Sequence, residues 1–128
     1  MANPSYNKRK GAAFEIDVMK WFRKMGVVAE RLRLSGKEDE GDLVVMIGSQ
    51  SYIFELKNTK TLDLKKFWNE AQVEAENYAK HRDTSKPLSF VLFKRRNAPI
   101  EQAWVIQDLQ QWLGEKNGNG KSKPTRSS

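Results

Sequence analysis

Cysteine is absent from this 128-residue chain, and histidine occurs once, as His81. The first absence excludes disulfides, thiolate metal sites and cysteine nucleophiles. The second leaves no material for a multi-histidine metal centre and little for a Ser-His-Asp triad. No apolar run approaches the roughly 18–20 residues of a membrane span. The opening MANPSYNKRK lacks the apolar stretch of a secretory signal. A cytoplasmic setting is expected, and a cysteine-free chain is compatible with a reducing one. No internal repeat is visible.

Large burial units are present: four Trp, six Phe and three Tyr. At this length they supply one core in one domain. Charged residues make up 30% of the chain and the net charge is +7. That charge is unevenly placed. The first ten residues carry +3 through Lys8, Arg9 and Lys10, and the last fifteen carry another +3, which leaves +1 for residues 11–113. The expected organisation is a basic N-terminal arm over 1–10, a folded domain over 11–113 and a disordered basic tail over 114–128. Basic arms fit a polyanion partner by counterion release. From charge alone, a soluble protein with basic tails fits equally well.

Periodicity places the elements. Phe14, Val18, Trp21, Phe22 and Met25 recur at three- and four-residue spacing, a helix from Gly11 to about Met25 that Gly26 stops. Val27 to Leu34 reads as a strand, and Ser35 to Gly41 as a polar loop. Leu43–Ile47 and Tyr52–Lys57 read as a β-hairpin around a turn at Gly48–Ser51. A second helix runs from about Asp63, its N-cap, to Lys80, with Leu64, Phe67, Trp68, Ala71, Ala75, Tyr78 and Ala79 as its apolar stripe. Strands at Leu88–Phe93 and Ala103–Ile106 and a short helix at Asp108–Leu113 complete an α-β-β-β-α-β-β-α order, a mixed α/β domain. His81 follows the second helix as a C-terminal residue. Trp21, Trp68 and Trp112 are expected in the core or at a subunit interface, and Trp104, on a strand, in the core.

The chemistry concentrates in GDLVVMIGSQSYIFELK. An acidic-x-Lys triplet is weak on its own, since Asp63-Leu64-Lys65 is a second copy. Glu55-Leu56-Lys57 differs in lying on a strand. Alternation puts Tyr52, Phe54 and Leu56 on the core face and Ile53, Glu55 and Lys57 on the other. Closing the hairpin symmetrically around Gly48–Ser51 sets Val44 opposite Glu55 and Asp42 opposite Lys57. Asp42 and Glu55 are then diagonal neighbours about 7–8 Å apart, near enough for two carboxylates to reach one ion. A turn one residue longer or shorter would break this register. Two carboxylates and a lysine are what metal-assisted phosphodiester hydrolysis needs: oxygen ligands for a hard cation, and a positive charge for a hydroxide or a phosphate oxygen. The Leu56 carbonyl is a further candidate ligand. The same three residues also make an ordinary surface ion pair.

Gly41-Asp42 followed by Glu55-Leu56-Lys57 resembles the core motif of the PD-(D/E)xK nuclease superfamily, with Gly41 where that motif has proline. The surroundings resemble archaeal-type Holliday junction resolvases over about residues 8–113. The likeness includes a basic arm running into a helix with a glutamate (KRKGAAFE, Glu15), a Ser-Gly loop (Ser35-Gly36), a glutamine on the next helix (Gln72) and the basic cluster of FVLFKRR. The resemblance implies a restriction-endonuclease-like fold, a mixed central sheet flanked by helices. It implies Mg²⁺, with Mn²⁺ as a substitute, held by Asp42, Glu55 and Glu15. Lys57 would be the catalytic lysine, Gln72 would support the site or DNA, and Ser35 would lie near the scissile phosphate. Glu15 reads equally as a solvated helix residue, Gln72 as a buried amide and Ser35 as a loop residue. Lys8, Arg9, Lys10, Arg31, Arg33, Lys37, Lys60, Lys94, Arg95 and Arg96 are candidate phosphate contacts, suited to structure-selective binding. The implied activity is cleavage of branched DNA by a homodimer. Alternatives are a nuclease for flaps, single strands or duplex DNA, and a DNA-binding module without catalysis.

Overall fold

A computed structural model describes residues 4–32 and 39–116, with side chains from Lys10 onward in the first helix. Ser35, Arg33 and Lys37 lie outside the described residues, as do 1–3, the tail from 117 and the side chains of Lys8 and Arg9. Helix α1 spans Pro4–Lys24. The segment expected as a free arm is therefore helical from Pro4. Proline suits the first helical position because its missing N–H would be unpaired there anyway. The polar residues that follow lack the apolar periodicity that would reveal them as helix. Gly26, at φ 83°, then releases the chain into β1 (Val28–Arg31).

Strands β1, β2 (Leu43–Ile47), β3 (Gln50–Lys57), β4 (Leu88–Phe93) and β5 (Trp104–Ile106) form one mixed sheet in that spatial order. All neighbours are antiparallel except β3 and β4. That parallel pair is joined over one face by α2 (Leu64–Arg82), the crossover such a pair requires. A 3-10 turn at Ile100–Gln102 precedes β5, and α3 spans Leu109–Lys116, further than the sequence suggested. Among the described residues no helix is long and apolar enough to cross a membrane.

Helices cover both faces. On the α1 face, Phe14 and Val18 pack with Leu43, Val45, Phe54, Leu56, Phe90 and Leu92. On the α2 face, Phe67 and Ala71 pack with Val91 and Phe93. The face carrying Ile53, Glu55 and Lys57, expected to be the non-core one, is thus roofed by α2, and Glu55 is buried. Asp63 caps α2 by accepting from the Lys66 amide at 3.2 Å. Asp83 closes it in the left-handed region, so His81 and Arg82 are helical residues and not trailing ones. Trp104 and Trp112 are exposed, contrary to a core placement.

The hairpin register differs from the symmetric expectation. Ile47 pairs with Gln50 and Val44 with Ile53. The turn is therefore two residues, Gly48-Ser49, with Gly48 at φ 63° as a type II′ turn requires at its first position. Every partner on β3 moves by two residues. Side chains alternate with a period of two, so faces are preserved and only the pairing changes. Asp42 comes across from Glu55 instead of from Lys57.

Gly41 makes this approach possible. Its φ is 105°, and a Cβ there would lie 2.7 Å from Ile53 Cγ2. Gly41→Ala is expected to lower stability by roughly 2 kcal/mol or more, combining backbone strain with a clash. Gly48→Ala, in open space, should cost less. Urea denaturation ranks the two, and a Gly41→Ala midpoint equal to wild type would refute this account.

Candidate active site

Asp42 stands just before β2, where the strand ladder has not yet begun. Its amide donates to the Phe54 carbonyl at 3.1 Å, and its Oδ2 accepts from the Leu56 amide at 2.8 Å. Those two partners flank Glu55, so the two carboxylates are held side by side. Glu55 is buried and Asp42 half-buried, so both carboxylates are partly shielded from bulk water. Burial and then the charge of Glu55 push the Asp42 carboxyl up to about 8, with Glu15 and Asp39 adding to the effect. The Leu56 hydrogen bond opposes the rise without cancelling it.

Lys57 completes the set. Its Nζ lies 3.2 Å from Glu55 Oε2 and 2.9 Å from Glu70 Oε1, and 4.7 Å from the Phe67 ring centre. Burial disfavours the ammonium, but Glu70 and Glu55 outweigh it and hold its pKa above the ordinary lysine value. Lys57 is therefore a fixed cation and not a base.

Glu15 is brought close enough to act on Asp42 electrostatically. Its Oε1 accepts from Arg31 Nε at 3.2 Å and Nη2 at 3.1 Å. Arg31, expected as a phosphate contact, is committed to that pair. Gln72 is not brought to the carboxylates. Its Nε2 donates to Ser89 Oγ at 2.8 Å, and its Oε1 accepts from Lys86 at 2.8 Å. It faces β4 while the acids cluster toward β2. Lys60, Arg95 and Arg96 are exposed, with the Arg95 guanidinium 5.1 Å from the Trp104 ring centre, and Lys10 and Lys94 are half-buried.

Sequence reading missed the polar contribution of α2. Glu70 holds Lys57 and Glu74 is buried against Glu55. Asn77 Nδ2 donates to the Asp39 carbonyl at 2.8 Å, and His81 and Arg82 both bind the Glu40 carboxylate. Burial tends to raise the Glu40 carboxyl, but Arg82 and His81 prevail and lower it. Glu70, Glu74, Asn77 and His81 are spaced four, three and four residues apart, one polar stripe beside the apolar one. That spacing was readable and is the signal that could have found them. For Glu74, burial first and Glu55 second drive the carboxyl strongly upward.

The donor set suits a hard divalent cation, since it is all oxygen. Glu55 Oε1 is buried with no N–H or hydroxyl donor upon it, and the Glu74 carboxyl lies within hydrogen-bonding reach of Glu55. Among the described residues no group of three Asp, Glu or His side chains is placed to hold a metal ion. Mg²⁺ does not require one, because it keeps several waters and binds through one or two carboxylates.

No family model matches the chain, and no curated protein matches it. Among solved structures the chain is similar to Hjc, a Holliday junction resolvase from the archaeal hyperthermophile Archaeoglobus fulgidus. The two are 19% identical over 77% of this chain and 88% of that one, with a TM-score of 0.48.

A carboxyl raised in the folded state holds a proton that the unfolded chain releases. Its contribution to stability is lost as pH rises from the ordinary carboxylate range toward about 8 for Asp42. Without metal, the protein is expected to melt lower at each step from pH ~5 to ~8.5. Asp42→Asn should lessen that slope, leaving the part due to Glu74, and melt higher than wild type near the upper end. Thermal scans by circular dichroism test this, and a wild-type Tm that is flat or rising over the window would contradict it.

Proposed function

We propose that this protein is a Mg²⁺-dependent endodeoxyribonuclease, able to use Mn²⁺, that hydrolyses phosphodiester bonds in branched DNA as a Holliday junction resolvase does, in the cytoplasm. The observation that carries the reading is the placement of Asp42 and Glu55 side by side with a protonated Lys57 against Glu55. Isolated buried carboxylates are costly, and this pair gains a purpose when it binds a cation.

A cation bound there would polarise the scissile phosphate and lower the pKa of an attacking water. Asp42 and Glu55 would hold it, with Glu15 tuning Asp42 from α1. The Leu56 amide keeps Asp42 turned toward Glu55. Lys57 supplies a positive charge beside the phosphate oxygens that become more negative in the transition state. Its raised pKa keeps it positively charged, so it would act there as a cation and a hydrogen-bond donor. Lys60, Lys94 and Arg96, with Lys8, Arg9 and Lys10 on the first turns of α1, are suited to phosphate contacts that position DNA without reading its sequence.

Cutting a four-way junction symmetrically calls for two sites, hence a homodimer. The surface best suited to a second copy is β5 with α3. It exposes Trp104, Val105, Leu109, Trp112 and Leu113 at the sheet's edge. Residues 103–113 carry one charge, Asp108, whose carboxylate is occupied in accepting from the Gln111 amide. In a chain of net charge +7 this neutral patch is ill-suited to DNA, and it meets its own copy without like-charge repulsion. The chain's own tail is a poor cover, since residues 117–128 contain no aliphatic or aromatic side chain larger than proline.

A synthetic four-way junction should be cut with Mg²⁺ and left intact with EDTA. Asp42→Asn, Glu55→Gln and Lys57→Met should each lower the rate by 100-fold or more, about 2.7 kcal/mol of transition-state stabilisation. Cleavage by these variants at the wild-type rate rejects the site. Flaps, single strands or linear duplex cut faster than junctions would replace the substrate, and tight binding with no metal-dependent product would leave a DNA-binding module. Separately, sedimentation should show a dimer that Leu109→Glu converts to monomer. A dimer indifferent to that change lies on another surface.

A further inference from the structure

Helix α2 grips the chain on its way into the site. Asp39 and Glu40 precede β2, and the last turns of α2 hold them both. Asn77 Nδ2 donates to the Asp39 carbonyl at 2.8 Å. Arg82 Nη1 donates to Glu40 Oε2 at 2.8 Å, and His81 Nδ1 meets the same oxygen. These contacts span 38 to 42 residues of chain, so the grip belongs to the tertiary fold and not to the local sequence. The Glu40 side chain is only 12% exposed, low for a charged residue outside a helix or strand. Arg82 is prepared for its partner. Its guanidinium lies 3.8 Å from the Tyr78 ring centre, and Nη1 also donates to the Tyr78 carbonyl at 3.3 Å. A side chain already held in this way loses little freedom on binding, which separates the pair from an ordinary surface ion pair.

Between this grip and Asp42 lies Gly41. Its amide donates to Asp39 Oδ1 at 2.9 Å, and its φ is 105°. Glycine is the freest link in a backbone. An acid that follows one keeps its direction when the chain is fixed on both sides of the link. Strand β3 fixes Asp42 itself, through the Phe54 carbonyl and the Leu56 amide. Helix α2 fixes the two residues before Gly41.

We propose that Arg82, His81 and Asn77 are positioning residues for the reaction: from α2 they clamp Glu40 and Asp39, and through Gly41 they set the direction of the Asp42 carboxylate. This rests on the nuclease reading and adds to it residues that act through Asp42 and not on the reacting atoms. Small displacements of a catalytic group are costly in rate, so a loosened clamp lowers turnover more than it lowers binding.

The test compares the full-length wild type with Glu40→Ala, Arg82→Ala and the double variant, which keeps the wild-type net charge. Junction cleavage with Mg²⁺ gives kcat and KM, and NMR of the metal-free protein gives amide exchange. Each single variant is expected to lower kcat about tenfold, with the double variant no slower than the slower single one and its KM within about twofold of wild type. The Leu56 amide, which donates to Asp42, should exchange about fivefold faster or more in all three, while the amides of β4 keep their wild-type rates. Should Glu40→Ala fail to fold by circular dichroism, Glu40→Gln replaces it. A wild-type kcat in the single variants overturns the proposal. So does a fall in kcat with Leu56 exchange unchanged, because the clamp then does not act through Asp42. A raised KM alone in Arg82→Ala also overturns it and makes Arg82 a DNA contact. If the wild type cuts no DNA, the nuclease reading fails; faster Leu56 exchange in the variants would still support the clamp on Asp42, and unchanged exchange would overturn that too.

Discussion

The hydrogen bond from the Leu56 amide to Asp42 Oδ2 is the contact on which the site depends. It occurs where β2 has yet to begin, so a side-chain oxygen takes a strand amide that would otherwise look for a backbone carbonyl. Several features exist in support of it. Gly41 adopts a conformation closed to other residues and passes close to Ile53. The turn at Gly48-Ser49 sets the register. Ile53, Val44 and Val91, all buried, exclude water from the surroundings. The result is a carboxylate whose direction is set by the backbone and not by its own rotamer preference, the kind of preorganisation that electrostatic catalysis relies on.

Around that bond the electrostatics are deliberately unbalanced. Asp42, Glu55 and Glu74 share a low-dielectric pocket with one ammonium, and two of the three carboxyls are raised for it. Strongly perturbed acids in a cluster are a feature of functional sites more than of structural ones, because stability alone favours pairing or removing them. The outer pairs have the opposite character. Arg31 with Glu15, and Arg82 and His81 with Glu40, are satisfied and tie the edges of the site to α1 and α2. The cluster of acids is thus bordered by ion pairs on both sides.

Much of this was legible in the sequence, and the failures have physical causes. Apolar periodicity located the three helices and five strands, since alternation and 3.6-residue repeats report burial directly. The pairing of Asp42 with Lys57 was wrong because GSQS was read as a four-residue turn, although Gly-Ser alone can close a hairpin. The error was harmless to the face assignment, because two residues is a whole period of the strand. The helical start at Pro4 left no apolar mark. Which residue of α2 meets the strand lysine depends on the direction in which that helix crosses the sheet, and the observed crossing gives Lys57 to Glu70 and Ser89 and Lys86 to Gln72. Charged residues within a helix are ordinarily read as its solvent face, which concealed Glu74.

The crossover that joins β3 to β4 carries one further consequence. Lys57 and Glu70 meet across 13 residues of chain, Asp42 and Leu56 across 14, and His81 and Glu40 across 41. The hairpin contacts need only β2 and β3, whereas the Lys57–Glu70 pair, as short in sequence, also needs α2. Those that roof the acids wait until α2 has folded and swung back over the strands. Loop closure of this kind is the slow part of assembling a parallel pair. Without α2 in place, Asp42 and Glu55 lack the helix that covers them. The covered arrangement of these acids is therefore a property of the finished fold and not of the hairpin alone.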